Sequence, residues 1–235
     1  MFLGDDNWNL VLNMMIGIQM AVRSVKGFQE MIYEEPKDFG LKYYFELVPR
    51  RFGNEEYKST IYSFTDYAPN TFNHIRKLFK IDNEDYIGSI GPNRLMASLM
   101  MGEVSSMTSL TSQGKSGSFF YYTADSKYML KTMSYREYKF LRSILEDYYY
   151  YLKQNPDTMI TRFYGLHKLI EKNVKGDEIC RSYFVIMANV FNTKEKIVER
   201  YDIKGSWQGR ETADKDPTST KKDNDFLKRS PIFLE

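Results

Sequence analysis

Gly114-Lys115-Ser116 is followed at once by Gly117-Ser118 and then by four aromatic residues, Phe119-Phe120-Tyr121-Tyr122. This order constrains the fold more than any other feature of the chain. A phosphate loop of the Walker type needs a glycine five positions before its Gly-Lys-Ser and a helix directly after it, whose N-terminal amides face the phosphates. Here the earlier position is Ser109, and the aromatics after Ser118 suit a pleated strand. The Walker reading is therefore disfavoured. A glycine-bearing turn that enters a β-hairpin fits instead, with strands at 119–123 and 128–133 joined by Ala124-Asp125-Ser126-Lys127.

A turn of that kind lets backbone amides approach nucleotide phosphates from above. The second strand of the hairpin carries Lys131 between Leu130 and Thr132. A lysine within an apolar strand needs an anion, a phosphate or a carboxylate, unless it turns to the solvent face of an edge strand. Glu137 lies six residues on, at the start of the next helix. It could pair with Lys131, or close a capping box with Ser134, or do each in turn.

Around this hairpin the periodicity predicts a helix over about 7–24, with Trp8, Leu12, Met15, Ile16 and Met20 on one face and Asp5 and Asp6 at its positive start. A strand is expected at 42–48, stopped by Pro49, and a second helix opens at Asp66-Tyr67-Ala68-Pro69. Residues 105–118 read as a polar glycine loop, and 135–152 as one helix broken by Gln154-Asn155-Pro156-Asp157. Strands follow at 162–169, 181–191 and 196–203, and 212–235 reads as a loop without fixed structure. The fold class is α+β, an antiparallel sheet with helices to one side.

Composition excludes several classes. The chain has 235 residues, 42% hydrophobic and 27% charged, enough for a core and against wholesale disorder. A net charge of +2 by itself argues neither for nor against nucleic acid or membrane, and no nucleic-acid partner is expected. Cys180 is the only cysteine, which rules out an internal disulfide and fits a reducing compartment. His74 and His167 lack metal-ligand spacing, and no apolar run approaches the roughly 20 residues of a spanning helix. A cytoplasmic protein, peripheral to the membrane, is the expectation.

The run from Gly114 to Tyr121, continued by Tyr128-Met129-Leu130-Lys131-Thr132-Met133, resembles the glycine-loop hairpin of phosphatidylinositol phosphate kinases. The resemblance continues in order along the chain. It includes Asp66-Tyr67-Ala68-Pro69 with Phe72, Ile75 and Arg76, then Glu137 to Leu141, Asn155-Pro156-Asp157-Thr158 and Phe163-Tyr164-Gly165-Leu166. The hinge-like strand from Phe184 to Phe191 follows, then Tyr201-Asp202-Ile203-Lys204-Gly205-Ser206 with Arg210, and Lys222-Asp223-Asn224-Asp225-Phe226. Ile203 stands where the family carries Leu.

The resemblance implies a protein-kinase-like lipid kinase fold with an incomplete C-terminal lobe. It divides the chain into a helical and strand region at 1–100, an ATP-binding lobe at 101–191 and the start of a second lobe at 192–235. It implies that Gly114, Lys115, Ser116, Gly117 and Ser118 cover ATP phosphates, that Lys131 contacts them and that Glu137 orients Lys131. Ala188, Asn189 and Val190 would present hinge backbone to the adenine, with Phe191 nearby. Lys204 and Arg210 would face the transferred phosphate or a lipid head group; a basic residue before a turn is the plainer reading of Lys204. The implied reaction moves the ATP γ-phosphate, with Mg, to an inositol lipid, as in a phosphatidylinositol 4-phosphate 5-kinase.

The family's catalytic Asp stands in a Met-Asp-Tyr-Ser-Leu-type stretch and its metal-binding Asp in an Ile-Ile-Asp-type stretch, and neither occurs here. No catalytic residue and no metal ligand is therefore expected in this chain, which would be a truncated kinase. The alternative is an inactive regulatory or dimerisation module that binds nucleotide or a full-length kinase. The implied partners are an inositol phospholipid at a membrane surface and a second copy paired through the N-terminal helix, which could equally pack on its own sheet. Lys204, Arg210, Lys215, Lys221, Lys222, Lys228 and Arg229 would each contribute about 1 kcal/mol near an anionic leaflet. Asp214, Asp216, Asp223 and Asp225 would blunt that attraction, and a solvated loop remains the alternative.

Overall fold

The computed structural model describes residues 8–26, 39–47, 60–94, 97, 119–213, 216 and 219–229. The glycine loop at 105–118, with Gly114, Lys115, Ser116, Gly117 and Ser118, lies outside the described residues, as do Asp5, Asp6 and Pro49. Residues 1–190 and 191–235 form two compact units.

In the first unit, six strands make one sheet: β1 (Lys42–Leu47), β2 (Ile61–Tyr67), β3 (Phe120–Tyr122), β4 (Tyr128–Met133), β5 (Phe163–Lys172) and β6 (Glu178–Ala188). Their order is β1-β2-β5-β6-β4-β3. Every neighbouring pair is antiparallel. The strands of the first 100 residues thus join the same sheet as the hairpin. Strand β2 has no counterpart in the sequence reading, which took Asp66-Tyr67-Ala68-Pro69 as the lead-in to a helix; Asp66 and Tyr67 instead end the strand.

Pairing partners share a face, and successive residues alternate between faces. One face therefore carries Phe64, Asp66, His167 and Phe184, and the other carries Tyr67, Lys168, Tyr183 and Lys131. Helix α1 (Trp8–Lys26) packs on the first, where Gly17 lies directly against the Phe64 ring. Helix α4 (Tyr135–Ser143) packs on the second, its Tyr138 ring 5.0 Å from Tyr67 and 4.4 Å from Tyr183. The expectation of helices on one side fails because β5 and β6 are apolar on both faces, with Leu166, Leu169, Phe184, Val185 and Ile186 all buried. Such strands need cover on each side.

The buried stripe of α1 is Val11, Met14, Met15, Ile18, Ala21 and Val22. Met20, expected on the core face, is exposed. Helix α2 (Pro69–Leu78) starts at Pro69 as expected, after Ala68 in a left-handed conformation, and buries Phe72 and Ile75. Its Arg76 is buried: Nη1 donates to the Tyr164 carbonyl at 2.7 Å and Nε to Asn83 Oδ1 at 2.9 Å, while the guanidinium lies over Tyr86. These bonds tie α2 to β5 and to the start of α3 (Asn83–Ile90).

The predicted helix 135–152 is two helices, α4 and α5 (Leu145–Gln154), broken at Ile144. Ser143 Oγ donates to the Phe140 carbonyl at 2.8 Å, a local bond that competes with the regular helix pattern. The capping box is present: Ser134 Oγ accepts from Glu137 N at 3.2 Å, and Glu137 Oε2 accepts from Ser134 N at 2.7 Å. Ser134→Ala is expected to lower unfolding free energy by about 0.5–2 kcal/mol. A guanidinium denaturation curve that superimposes on the wild type would refute this.

The second unit differs most from expectation. The strand expected at 196–203 shortens to β7 (Tyr201–Asp202), parallel to β8 (Lys221–Lys222). A short helix, α6 (Asp223–Leu227), occupies part of the stretch read as unstructured.

Candidate functional site

Lys131 is not on an edge strand: β4 lies between β3 and β6, and Lys131 pairs with Phe120 on one side and Val185 on the other. That removes the solvent-edge alternative. Its Nζ is 4.0 Å from Glu137 Oε1 and 5.8 Å from the Phe120 ring centre, with 29% of the side chain exposed. Glu137 does both things that the sequence left open. Oε2 closes the capping box, also accepting from Ser134 Oγ at 2.8 Å, while Oε1 faces the lysine. The Ser134 amide and hydroxyl, and to a lesser degree Lys131, hold the Glu137 carboxyl below the usual carboxylate range. The helix cap thus fixes an ionised carboxylate beside a lysine whose ammonium keeps part of its surface open.

The residues expected to form a hinge begin at Ala188, the last residue of β6. Ala188 N donates to the Arg162 carbonyl at 2.9 Å and Asn189 N to the Lys127 carbonyl at 3.0 Å. Asn189 Nδ2 donates to the Ser126 carbonyl at 2.7 Å. Two of the three expected hinge amides therefore hold the chain to the β3–β4 turn and to Arg162. That turn is anchored in its own right. Asp125 Oδ1 accepts from Ser89 Oγ and Thr123 Oγ1 at 2.7 Å each and from Lys127 N at 3.2 Å. Val190 is 70% exposed.

In the second unit, Phe191 lies under the Arg200 guanidinium at 4.8 Å. Lys204 and Arg210 come together on Asp202. Lys204 Nζ pairs with Asp202 Oδ2, and Arg210 Nη2 lies 3.1 Å from the same oxygen and also donates to the Asp202 carbonyl. Lys204 is exposed and Arg210 is largely covered. Asp223 braces the turn between them. Its Oδ1 accepts from the amides of Lys204 at 2.9 Å, Gly205 at 2.8 Å and Ser206 at 3.3 Å, and its Oδ2 accepts from Arg210 Nε at 2.8 Å. Burial alone would raise its pKa, yet the bonds from Arg210 and from the loop amides outweigh burial and depress it well below the usual range. Gly205 has φ +69°, a backbone that only glycine adopts without strain, which is why glycine follows Lys204.

Sequence reasoning singled out Lys131, Glu137 and Lys204 but gave Asp223 no role. Lys222-Asp223-Asn224-Asp225 carries one carboxylate for each loop, a division that only the fold reveals. Asp225 Oδ2 accepts from Thr212 N and Lys222 N, each at 3.0 Å, and from Thr212 Oγ1 at 2.7 Å. Asp202, Asp223 and Asp225 are thus each engaged by internal donors. Among the described residues no group of three His, Cys, Asp or Glu is placed to hold a metal ion. Among them, too, no helix is long and apolar enough to cross a membrane.

A family model described as Phosphatidylinositol-4-phosphate 5-Kinase matches residues 101–235. A phosphatidylinositol 4-phosphate 5-kinase of Plasmodium falciparum is 36% identical over 96% of this chain and 13% of its own length. The Schizosaccharomyces pombe phosphatidylinositol 4-phosphate 5-kinase its3 is 36% identical over 97% of this chain and 29% of its own. A probable phosphatidylinositol phosphate kinase of Dictyostelium discoideum is also 36% identical, over 98% and 34%. The chain spans about a third or less of each of these relatives. With more than half of its residues under the family model, and with the Lys131–Glu137 pair and the braced Lys204 loop falling inside that match, this chain belongs to the phosphatidylinositol-4-phosphate 5-kinase family.

Proposed function

We propose that this chain carries the nucleotide-holding part, and one substrate-facing loop, of a kinase that phosphorylates phosphatidylinositol 4-phosphate at a membrane surface. The observation that carries the reading is Lys131, set on an interior strand with its ammonium oriented by a capped, ionised Glu137. ATP would supply the phosphoryl group. In such transfers the protein's part is positioning and charge neutralisation. Lys131 neutralises phosphate charge, and Glu137 holds the lysine's rotamer so that little ordering cost remains on binding. The Ser126 and Lys127 carbonyls fix the backbone of Asn189, which supports an adenine edge resting on the hinge beside Val190. Gly114, Lys115, Ser116, Gly117 and Ser118 close over the phosphates in this reading.

Lys204 offers its exposed ammonium to the lipid's phosphate. Arg210 acts through the loop rather than on the lipid, being engaged by two carboxylates. Asp202, Asp223 and Asp225 are engaged by internal donors, so the acids that hold Mg and position the attacking hydroxyl are assigned to none of them. The test is ATP affinity, by calorimetry or a fluorescent analogue. One charge-assisted contact contributes about 1.5–3 kcal/mol, so Lys131→Ala is expected to weaken binding about 10- to 150-fold. Glu137→Gln, which keeps most of the cap, is expected to weaken it less. Unchanged affinity in Lys131→Ala would sink the reading.

A further inference from the structure

Three groups of chemistry-bearing side chains fall outside the nucleotide reading. The buried Asp66–His167 pair, 3.0 Å apart, lies beneath α1 with no access to a ligand. Asp125 stitches the β3–β4 turn to α3. Asp223 alone touches a residue that the proposed function places against substrate.

We infer that Asp223 is a positioning residue for the lipid-facing loop, shaping Lys204-Gly205-Ser206 through its backbone amides and locking Arg210 behind it. This rests on the reading of Lys204 given above. Three consecutive amides converge on one carboxylate oxygen, and the second oxygen takes the Arg210 Nε. A turn with three amides pointing inward has its side chains pointing away, and the left-handed Gly205 makes that convergence geometrically accessible. Lys204 is then presented outward with Asp202 as its only charged contact among the described residues. Arg210, bridging Asp223 and Asp202, sets the distance between the brace and the lysine's counter-ion. Asp223 is therefore committed to the loop. Each of its oxygens is occupied, and its low pKa keeps it ionised.

The experiment uses the whole 235-residue chain as wild type, Asp223→Asn, Asp223→Ala, Lys204→Ala and the Lys204→Ala/Asp223→Ala double variant. Amide hydrogen exchange is read at Lys204, Gly205 and Ser206, and binding is read on phosphatidylcholine vesicles with and without phosphatidylinositol 4-phosphate. Asp223→Ala is expected to speed exchange at the three amides about a hundredfold while β5 and β6 stay protected. Asp223→Asn keeps an acceptor oxygen for the amides but sets an NH2 against Arg210, so a rise of about tenfold, confined to the same amides, is expected. Vesicle affinity should fall about tenfold in Asp223→Ala, specifically for phosphatidylinositol 4-phosphate, and should not fall further when Lys204 is already alanine. An equal loss in both backgrounds shows a general structural role and overturns the inference, as does unchanged exchange in Asp223→Asn. If Asp223→Ala loses protection throughout 191–235, the asparagine variant decides alone. If Lys204→Ala binds the vesicles as well as wild type, the head-group reading of Lys204 fails, and exchange at the three amides still tests the brace.

Discussion

Phe184→Ala is expected to lower the unfolding free energy of the chain by about 3–5 kcal/mol, the range for truncating a buried aromatic. Phe184 is fully buried in β6, an interior strand of the sheet. Its ring meets Phe64 edge-on at 6.1 Å and His167 at 5.2 Å, and the pairing register places all three beneath α1. Removing the ring leaves a cavity beside Phe64 and His167, and the hydrogen-bonded strands that carry them resist collapse into it. The midpoint in guanidinium should fall with little change in slope. A loss under about 1 kcal/mol would mean that the strand does not lie in the middle of the core.

Gly17→Ala is expected to destabilise as well, against the ordinary preference of helices. Alanine is favoured over glycine within a helix by about 1 kcal/mol. Here, however, an added Cβ would sit 2.0 Å from one Phe64 ring atom and 2.4 and 2.5 Å from two others. Phe64 is fully buried and backed by Phe184 and His167, so its ring has no room to withdraw. Overpacking of this kind costs about 1–3 kcal/mol. The two substitutions should also be non-additive. In Phe184→Ala the Phe64 ring gains space, so Gly17→Ala should cost less there than in the wild type. Additive losses would show that Phe64 does not mediate between helix and strand.

The contrast between these two positions shows what the sequence could reveal. The hairpin, the capping box at Ser134 and the start of α2 at Pro69 are local devices, fixed by residues within a few positions of one another, and all three appear as expected. The face of α1 was misjudged because apolar side chains surround that helix. Leu12, Ile16 and Met20 compete with Val11, Met14 and Ile18, and only the approach of Phe64 to Gly17 chooses the stripe. Strand β2 was missed because Ser63, Thr65 and Asp66 interrupt its apolar pattern. Thr65 and Asp66 are nonetheless buried, Asp66 beside His167 of the neighbouring strand, a partner about a hundred residues away.

The same distance problem hid Asp223. Its partners lie 13 to 19 residues back along the chain, beyond the reach of any turn pattern. At the site, Lys131, Glu137 and Lys204 were legible because their chemistry is conspicuous in apolar or glycine-bearing surroundings. The strand end at the expected hinge was legible, with β6 stopping at Ala188. That the Asn189 amide is taken by the β3–β4 turn and the Ala188 amide by Arg162 could be read only from the structure.

The strand order has a kinetic corollary. Hairpins β3–β4 and β5–β6 close over short turns, whereas β2 reaches β5 with Tyr67 opposite Leu166 and Ile61 opposite Lys172. That pairing must close a loop of about a hundred residues, whose entropy is lost before any contact compensates. The β3–β6 half would assemble first, with the inner edge of β5 waiting as an open template. Until β2 arrives, that edge is the surface through which a nascent chain could pair with another copy of itself. Synthesis from the N-terminus makes β1 and β2 the strands that wait longest for their partner. Chaperone dependence would accordingly concentrate on β1 and β2, which are made about a hundred residues before β5.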